Sequence, residues 1–138
     1  MKDAPNTDKK MLCTDLDGTF IGDDDSMYEL LRLIDEKGIW LVFSTGRHLT
    51  SVLAFINDKR IRKPDACILQ VGTEVHLLSK GEFILDNNWS NIISQDWERE
   101  KVVRLLADVE QLVRQDEEFQ TEFKESYYLR EKQTEVLK

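Results

Sequence analysis

The chain has 138 residues, and its 19 Lys+Arg against 27 Asp+Glu give a formal net charge of −8. With 41% hydrophobic and 33% charged residues it can fill one ordinary domain, or one and a fraction, which excludes wholesale disorder. The acidic balance argues against a nucleic-acid backbone binder, which usually presents a basic face.

No apolar run approaches the roughly 18–20 residues of a membrane span. The start Met1-Lys2-Asp3-Ala4-Pro5-Asn6 lacks the apolar stretch of a secretory signal, so the chain is read as cytoplasmic. Cys13 and Cys67 both sit in apolar runs and are expected to be buried thiols in a reducing compartment.

The first nine residues are polar and expected to be disordered. Met11-Leu12-Cys13-Thr14 is a short apolar run that breaks into Asp15-Leu16-Asp17-Gly18-Thr19, the pattern of a buried strand ending at an acidic loop. Asp23-Asp24-Asp25-Ser26 carries helix-start chemistry, better read as a capping turn than as a cation site. Met27, Leu30, Leu31, Leu33 and Ile34 follow at helical spacing, up to a stop at Gly38. Ile39-Trp40-Leu41-Val42-Phe43 has the length and composition of a strand buried on both faces, with Trp40 in the core. After Ser44-Thr45-Gly46-Arg47 a second amphipathic helix runs through Val52, Leu53, Phe55 and Ile56, with His48 solvated or capping at its start. Ala66-Cys67-Ile68-Leu69 is the third strand. Strand, helix, strand, helix, strand at this spacing is a βαβαβ unit with right-handed crossovers.

Beyond Gly72 the pattern changes. Val75-His76-Leu77-Leu78 and Phe83-Ile84-Leu85, joined by Ser79-Lys80-Gly81, predict a β-hairpin. Trp97, Val102, Leu105, Leu106, Val109, Leu112 and Val113 predict one long surface helix, and Lys124 to Leu129 one more strand. The boundary between modules is expected within 81–90, giving a core over 10–82 and a second module over 83–138.

Three polar clusters fall just past the ends of the three core strands: Asp15/Asp17, Ser44/Thr45/Arg47 and Gly72/Thr73/Glu74. Ligands of open α/β sheets bind at that edge. Two carboxylates two residues apart share a face of an extended segment and call for a cation or a shared proton. Mg²⁺, which takes carboxylates and phosphate oxygens together, meets that demand. Gly18 permits a tight turn whose amides can approach an anion, Thr45 can donate a hydroxyl to phosphate, and Arg47 offers a planar cationic fork.

Leu12-Cys13-Thr14-Asp15-Leu16-Asp17-Gly18-Thr19 resembles the first motif of the haloacid dehalogenase superfamily of phosphotransferases. Val42-Phe43-Ser44-Thr45-Gly46-Arg47 resembles its second motif, in the form used by members with a large cap inserted after the third strand. Gln70-Val71-Gly72-Thr73-Glu74-Val75, the Trp89 and Trp97 segment, and Phe123-Lys124-Glu125-Ser126-Tyr127-Tyr128-Leu129 resemble the sucrose-phosphate phosphatase group. The resemblance runs from about Lys10 to Leu129.

It implies an α/β, Rossmann-like haloacid dehalogenase core followed by the start of an α+β cap. It also implies Mg²⁺-dependent hydrolysis of a sugar phosphate, similar to sucrose 6-phosphate, through an aspartyl-phosphate. Asp15 would then be the nucleophile and Asp17 the general acid and base, with Mg²⁺ held at Asp15 and at the Asp17 carbonyl. Thr45 and Gly18 would hold the phosphoryl group. Gly46, Arg47, Gly72, Thr73 and Glu74 would lie near the sugar, and Lys124 would serve the cap's grip on it.

The superfamily's third motif, a Lys, and its fourth, an acidic pair, are not found before Lys138. Lys132 and Lys138 lie in a polar tail and read as solvated. The sequence is therefore expected to be the first half of such an enzyme, a truncated product or a short relative, feeble alone. It is also expected to self-associate through an uncovered first-strand edge. The alternative is a non-catalytic sugar-phosphate-binding module, as found fused to sucrose-phosphate synthases. A response-regulator receiver also carries acidic strand ends with Mg²⁺, but the hairpin and the Asp-x-Asp spacing count against it.

Overall fold

The structure, a computed structural model, describes residues 9–130. Residues 1–8, most of the expected disordered start, and Lys132 and Lys138 lie outside the described residues. The chain divides into two compact units, Met1–Ser90 and Asn91–Lys138.

The first unit runs β1 (Met11–Thr14), α1 (Asp24–Glu36), β2 (Trp40–Ser44), α2 (Leu49–Lys59), β3 (Ala66–Leu69), β4 (Glu74–Ser79) and β5 (Glu82–Leu85). One sheet holds the strands in the order β1-β2-β3-β4-β5. The first three are parallel, with Cys13 opposite Val42 and Phe43 opposite Cys67. The expected hairpin forms and extends the same sheet, β4 running antiparallel to β3 and to β5. This is the α/β fold, with the βαβαβ unit in place.

The helices begin and end for local reasons. Asp23 caps α1, accepting hydrogen bonds from the Asp25 amide at 3.0 Å and the Ser26 amide at 3.3 Å. Its carboxyl is held below the usual range, first by the Ser26 hydroxyl and then by these amides. Gly38, with φ +60°, turns the chain so that the Ile39 amide donates to the Ile34 carbonyl at 2.9 Å. His48 caps α2, its Nδ1 accepting from the Ser51 amide at 3.2 Å.

Leu41, Val42 and Phe43 are buried in succession, so both faces of the sheet are covered at β2. Phe43 packs against Phe20 at 5.2 Å and edge-on to Phe55 at 6.4 Å between ring centroids. Asp65 ties three strands together: its carboxylate accepts from the Leu41 amide and its carbonyl from the Leu78 amide, at 2.8 and 2.9 Å.

Two residues expected in the core are not there. Cys13 is exposed and Trp40 is 42% exposed. Among the described residues β1 pairs with β2 alone, which leaves Cys13 on the sheet's edge. Trp40 opens β2, where the Lys9 ammonium sits over its ring at 4.6 Å.

In the second unit the long helix expected through Val113 is broken. α3 (Asn87–Ser94) spans the division between Ser90 and Asn91, and α4 covers only Arg99–Leu106. Two tight turns follow, Val109 to Leu106 and Leu112 to Val109, and Leu112–Arg114 becomes strand β6, antiparallel to β7 (Tyr127–Leu129). Pairing with β7 satisfies the backbone of Leu112–Arg114 and outweighs the helical spacing of its apolar residues. The strand expected over Lys124 to Leu129 is confined to its last three residues.

The connection between β6 and β7 is held by buried polar chemistry. The Glu125 carboxylate, fully out of solvent, is bound by Arg99 and Arg114. The Gln120 side chain donates to the Gln115 and Ser126 carbonyls and accepts from the Ser126 amide.

Candidate active site

The three strand-end clusters do meet at one edge of the sheet. Leu16, fully buried, anchors the loop after β1 between the two acidic residues. Its carbonyl accepts from the amides of Thr19, Phe20 and Ile21 at 3.3, 3.1 and 2.9 Å. That knot needs a left-handed residue inside it, supplied by Gly18 with φ +75°. The loop after β2 is seated by the Thr45 amide, which donates to the Ile68 carbonyl at 2.9 Å. Thr45 is 6% exposed, and its hydroxyl oxygen accepts from the Arg47 amide at 3.3 Å.

Asp15, Ser44, Thr45, Gly46, Val71 and Gly72 line an open cavity of about 280 Å³. Among the described residues the Asp15 side chain has no hydrogen bond or ion pair, so its carboxylate faces the cavity without a protein partner. Asp17 is engaged. The Arg47 guanidinium donates to both its oxygens, Nε to Oδ2 at 2.9 Å and Nη2 to Oδ1 at 2.5 Å. The Arg47 hydrogen bonds hold the Asp17 carboxyl below the usual range and raise the arginine in turn.

The remaining expected residues are distributed as follows. Gly46 and Gly72 line the cavity. The Thr73 hydroxyl donates to the Gln70 carbonyl at 2.9 Å, and Glu74 pairs with His76 Nε2 at 3.1 Å. Lys124 belongs to the second unit, half-buried in the connection that Glu125 anchors. Sequence reasoning missed Val71 as a cavity residue. An apolar residue beside a glycine in a loop carries no signal of its own until the backbone is seen.

Among the described residues no group of three or more His, Cys, Asp or Glu is gathered to hold a metal. The donors at this edge are oxygens throughout, and the unpartnered Asp15 carboxylate suits a hard cation that keeps waters and substrate oxygens in its shell. With the Asp17 carboxylate taken by Arg47, the backbone carbonyl of Asp17 is the donor that residue has left to offer.

Residues 8–138 match the profile of the sucrose-6F-phosphate phosphohydrolase family. The chain belongs to that family. Sucrose-phosphatase 2 of Nicotiana tabacum is 30% identical over 139 residues, covering 93% of this chain and 32% of that protein. Mannosylfructose-phosphate phosphatase of Agrobacterium fabrum is 28% identical over 124 residues, covering 87% of this chain and 49% of that protein. The sucrose-phosphatase of Synechocystis sp. PCC6803, solved in complex with sucrose and phosphate, superimposes with a TM-score of 0.76 at 28% identity, covering 88% of this chain and 49% of that one. The chain thus spans a third to a half of the family members it resembles. It shares their haloacid dehalogenase-like fold, and no helix among the described residues is long and apolar enough to cross a membrane.

Proposed function

We propose that the cavity at the β1–β3 edge is the phosphoryl-transfer half of a sugar-phosphate phosphatase. The observation that carries this reading is the Asp15 carboxylate, without a partner among the described residues in a cavity it shares with Thr45, Gly46 and Gly72. Solvent exposure and freedom from hydrogen bonds leave an Asp15 oxygen able to attack phosphorus. The P–O bond to the sugar breaks, and the sugar oxygen takes a proton from Asp17. In the second half, water gives its proton to Asp17 and attacks the aspartyl-phosphate, releasing inorganic phosphate and restoring Asp15. Thr45 and the Gly18 turn bind the phosphoryl oxygens. Mg²⁺, held by Asp15 and the Asp17 carbonyl, would neutralise phosphoryl charge when bound.

Family membership and the sucrose and phosphate bound by the Synechocystis relative support a phosphorylated disaccharide, sucrose 6-phosphate or one close to it, as the substrate. The test is phosphate release by the full chain in Mg²⁺ from phosphorylated sugars, nucleotides and phosphopeptides, alongside Asp15→Asn. Preference for a phosphorylated disaccharide is expected, with Asp15→Asn reducing turnover by about a thousandfold or more. Residual turnover within about tenfold rejects Asp15 as nucleophile, and preference for nucleotides or phosphopeptides rejects the substrate class. Tight binding of the disaccharide phosphate without turnover would favour the non-catalytic module instead.

A further inference from the structure

Val71 stands in a conformation that its side chain disfavours. With φ +56° and ψ +36° it occupies the left-handed region, where a β-branched residue is an outlier, and Gln70 before it is left-handed too, with φ +52°. Its side chain gains no compensating burial, since Val71 is 74% exposed. Asn or Gly would make the same turn at lower cost.

The turn is nevertheless held from three directions. The Gln70 amide donates to the Arg47 carbonyl at 3.2 Å, the Thr73 hydroxyl to the Gln70 carbonyl at 2.9 Å, and the Trp89 indole to the Gly72 carbonyl at 2.9 Å. These bonds fix where the isopropyl group points. It lines the cavity that holds Asp15, and a Cβ built on Gly46 would lie 3.9 Å from Val71 Cγ1. The remaining wall of the cavity is polar or glycine, so Val71 supplies the apolar surface there.

We infer that Val71 is a specificity residue, an apolar wall against which the C–H face of a sugar ring packs while its phosphate sits at Asp15 and Thr45. Strain maintained by surrounding bonds, at an exposed residue in a cavity, serves the ligand and not the fold. Sugar rings present such C–H faces beside their hydroxyls, whereas inorganic phosphate presents none. The inference rests on the sugar-phosphate reading above and adds the group that recognises the alcohol portion.

The test uses the full chain in an Asp15→Asn background, so that the ester is not consumed, with Val71 intact, Val71→Asn or Val71→Ala. Calorimetric titration with sucrose 6-phosphate and with inorganic phosphate in Mg²⁺ gives the ratio of the two affinities, and thermal melting gives stability. Both variants are expected to lower that ratio by about tenfold. Val71→Asn should also raise the melting temperature, by about 3 °C or more and by more than Val71→Ala, because Asn adopts the left-handed conformation more readily than Ala. An unchanged ratio in both variants, with sucrose 6-phosphate still bound, overturns this inference alone. A lower melting temperature for Val71→Asn overturns the strain argument beneath it. If the Val71 chain binds neither ligand, the sugar-phosphate reading fails and the inference with it.

Discussion

Arg47 holds Asp17 through both carboxylate oxygens, at 2.9 and 2.5 Å, while its own backbone carbonyl accepts from the Gln70 amide. One residue therefore ties the loop after β1 to the loop after β3. The Arg47 guanidinium also lies over the Phe55 ring at 5.9 Å, which limits the directions from which it can approach. A planar fork is needed for this grip, and a lysine would not reproduce it. For Asp17 to give a proton to a leaving oxygen, the grip has to loosen when substrate arrives, because the pairing favours the ionised carboxylate.

The first prediction concerns that pairing. Removing the guanidinium in Arg47→Ala takes away the main cause of the lowered Asp17 carboxyl, so Asp17 should titrate at higher pH than in the unmodified chain. The sign for stability follows from linkage. A carboxyl lowered in the folded state stabilises above its unfolded pKa, and that contribution disappears as pH falls through the folded value. Acid titration of the unmodified chain should therefore carry a small loss from this site that Arg47→Ala lacks. Carboxyl NMR of Asp17 in both chains checks it, and identical titration midpoints would show the ion pair absent in solution.

A second prediction concerns Glu125, whose carboxylate is out of solvent between Arg99 and Arg114. Removing one partner of a buried ion pair leaves the other charges uncompensated, which costs about 3–5 kcal/mol. The two arginine side chains are 30% and 35% exposed, so water recovers part of that loss and about 3 kcal/mol is expected for Glu125→Ala. The effect should be local. Hydrogen exchange at Val113 and Tyr128, paired between β6 and β7, should quicken greatly, while Leu12 and Val42, whose amides lie in the ladder between β1 and β2, keep their protection. Equal acceleration at all four amides would contradict a local role.

The two cysteines give a third prediction. Burial pushes the Cys67 thiol up to about 12, and Cys13 is exposed at the sheet edge. Alkylation requires thiolate, so an alkylating reagent near pH 8 should label Cys13 and spare Cys67 in the folded chain. Mass spectrometry of the labelled peptides reads this directly. Labelling of Cys67 at the rate of Cys13 would mean that β3 opens readily or is not buried.

How much of this could be read from the sequence depended on where each signal resides. The three parallel strands were legible because strands covered on both faces need unbroken apolar runs, and Leu41-Val42-Phe43 is one. The start of α1 was legible because Asp23 acts on amides two and three residues away. Burial of Cys13 and Trp40 was misread because an apolar run alone shows neither which of its residues the sheet leaves open nor where a strand begins; the uncovered first-strand edge was expected from the family resemblance instead. The helix through Val113 failed for a related reason: Tyr127–Leu129 lies far along the chain from Leu112–Arg114, and the pairing between them overrides local spacing. Of the cavity's lining, Asp15, Ser44, Thr45 and Gly72 were named from the polar clusters past the strand ends and Gly46 from the family resemblance. The Arg47–Asp17 grip and the left-handed Val71 depend on loop geometry, which periodicity does not encode.

The last prediction concerns the edge of the sheet. Among the described residues β1 pairs with β2 alone, and its outer backbone groups face away from the sheet. Met11, at 61% exposure, and Cys13 lie along that strand without a charge between them. Protein sheets usually blunt such an edge with lysine, proline or a bulge, because an unpaired strand is a template for another. Lys9 and Lys10 precede the strand, but Met11-Leu12-Cys13-Thr14 itself carries none of these devices. Self-association that grows with concentration is therefore expected, appearing on the order of 100 μM. Met11→Lys sets a charge on the edge at an exposed position, costing the core little, and should shift the distribution toward monomer. Size-exclusion chromatography with light scattering on both chains decides it. A monomer at every concentration for the unmodified chain would show the β1 edge covered in solution, and oligomers indifferent to Met11→Lys would place the contact on another surface.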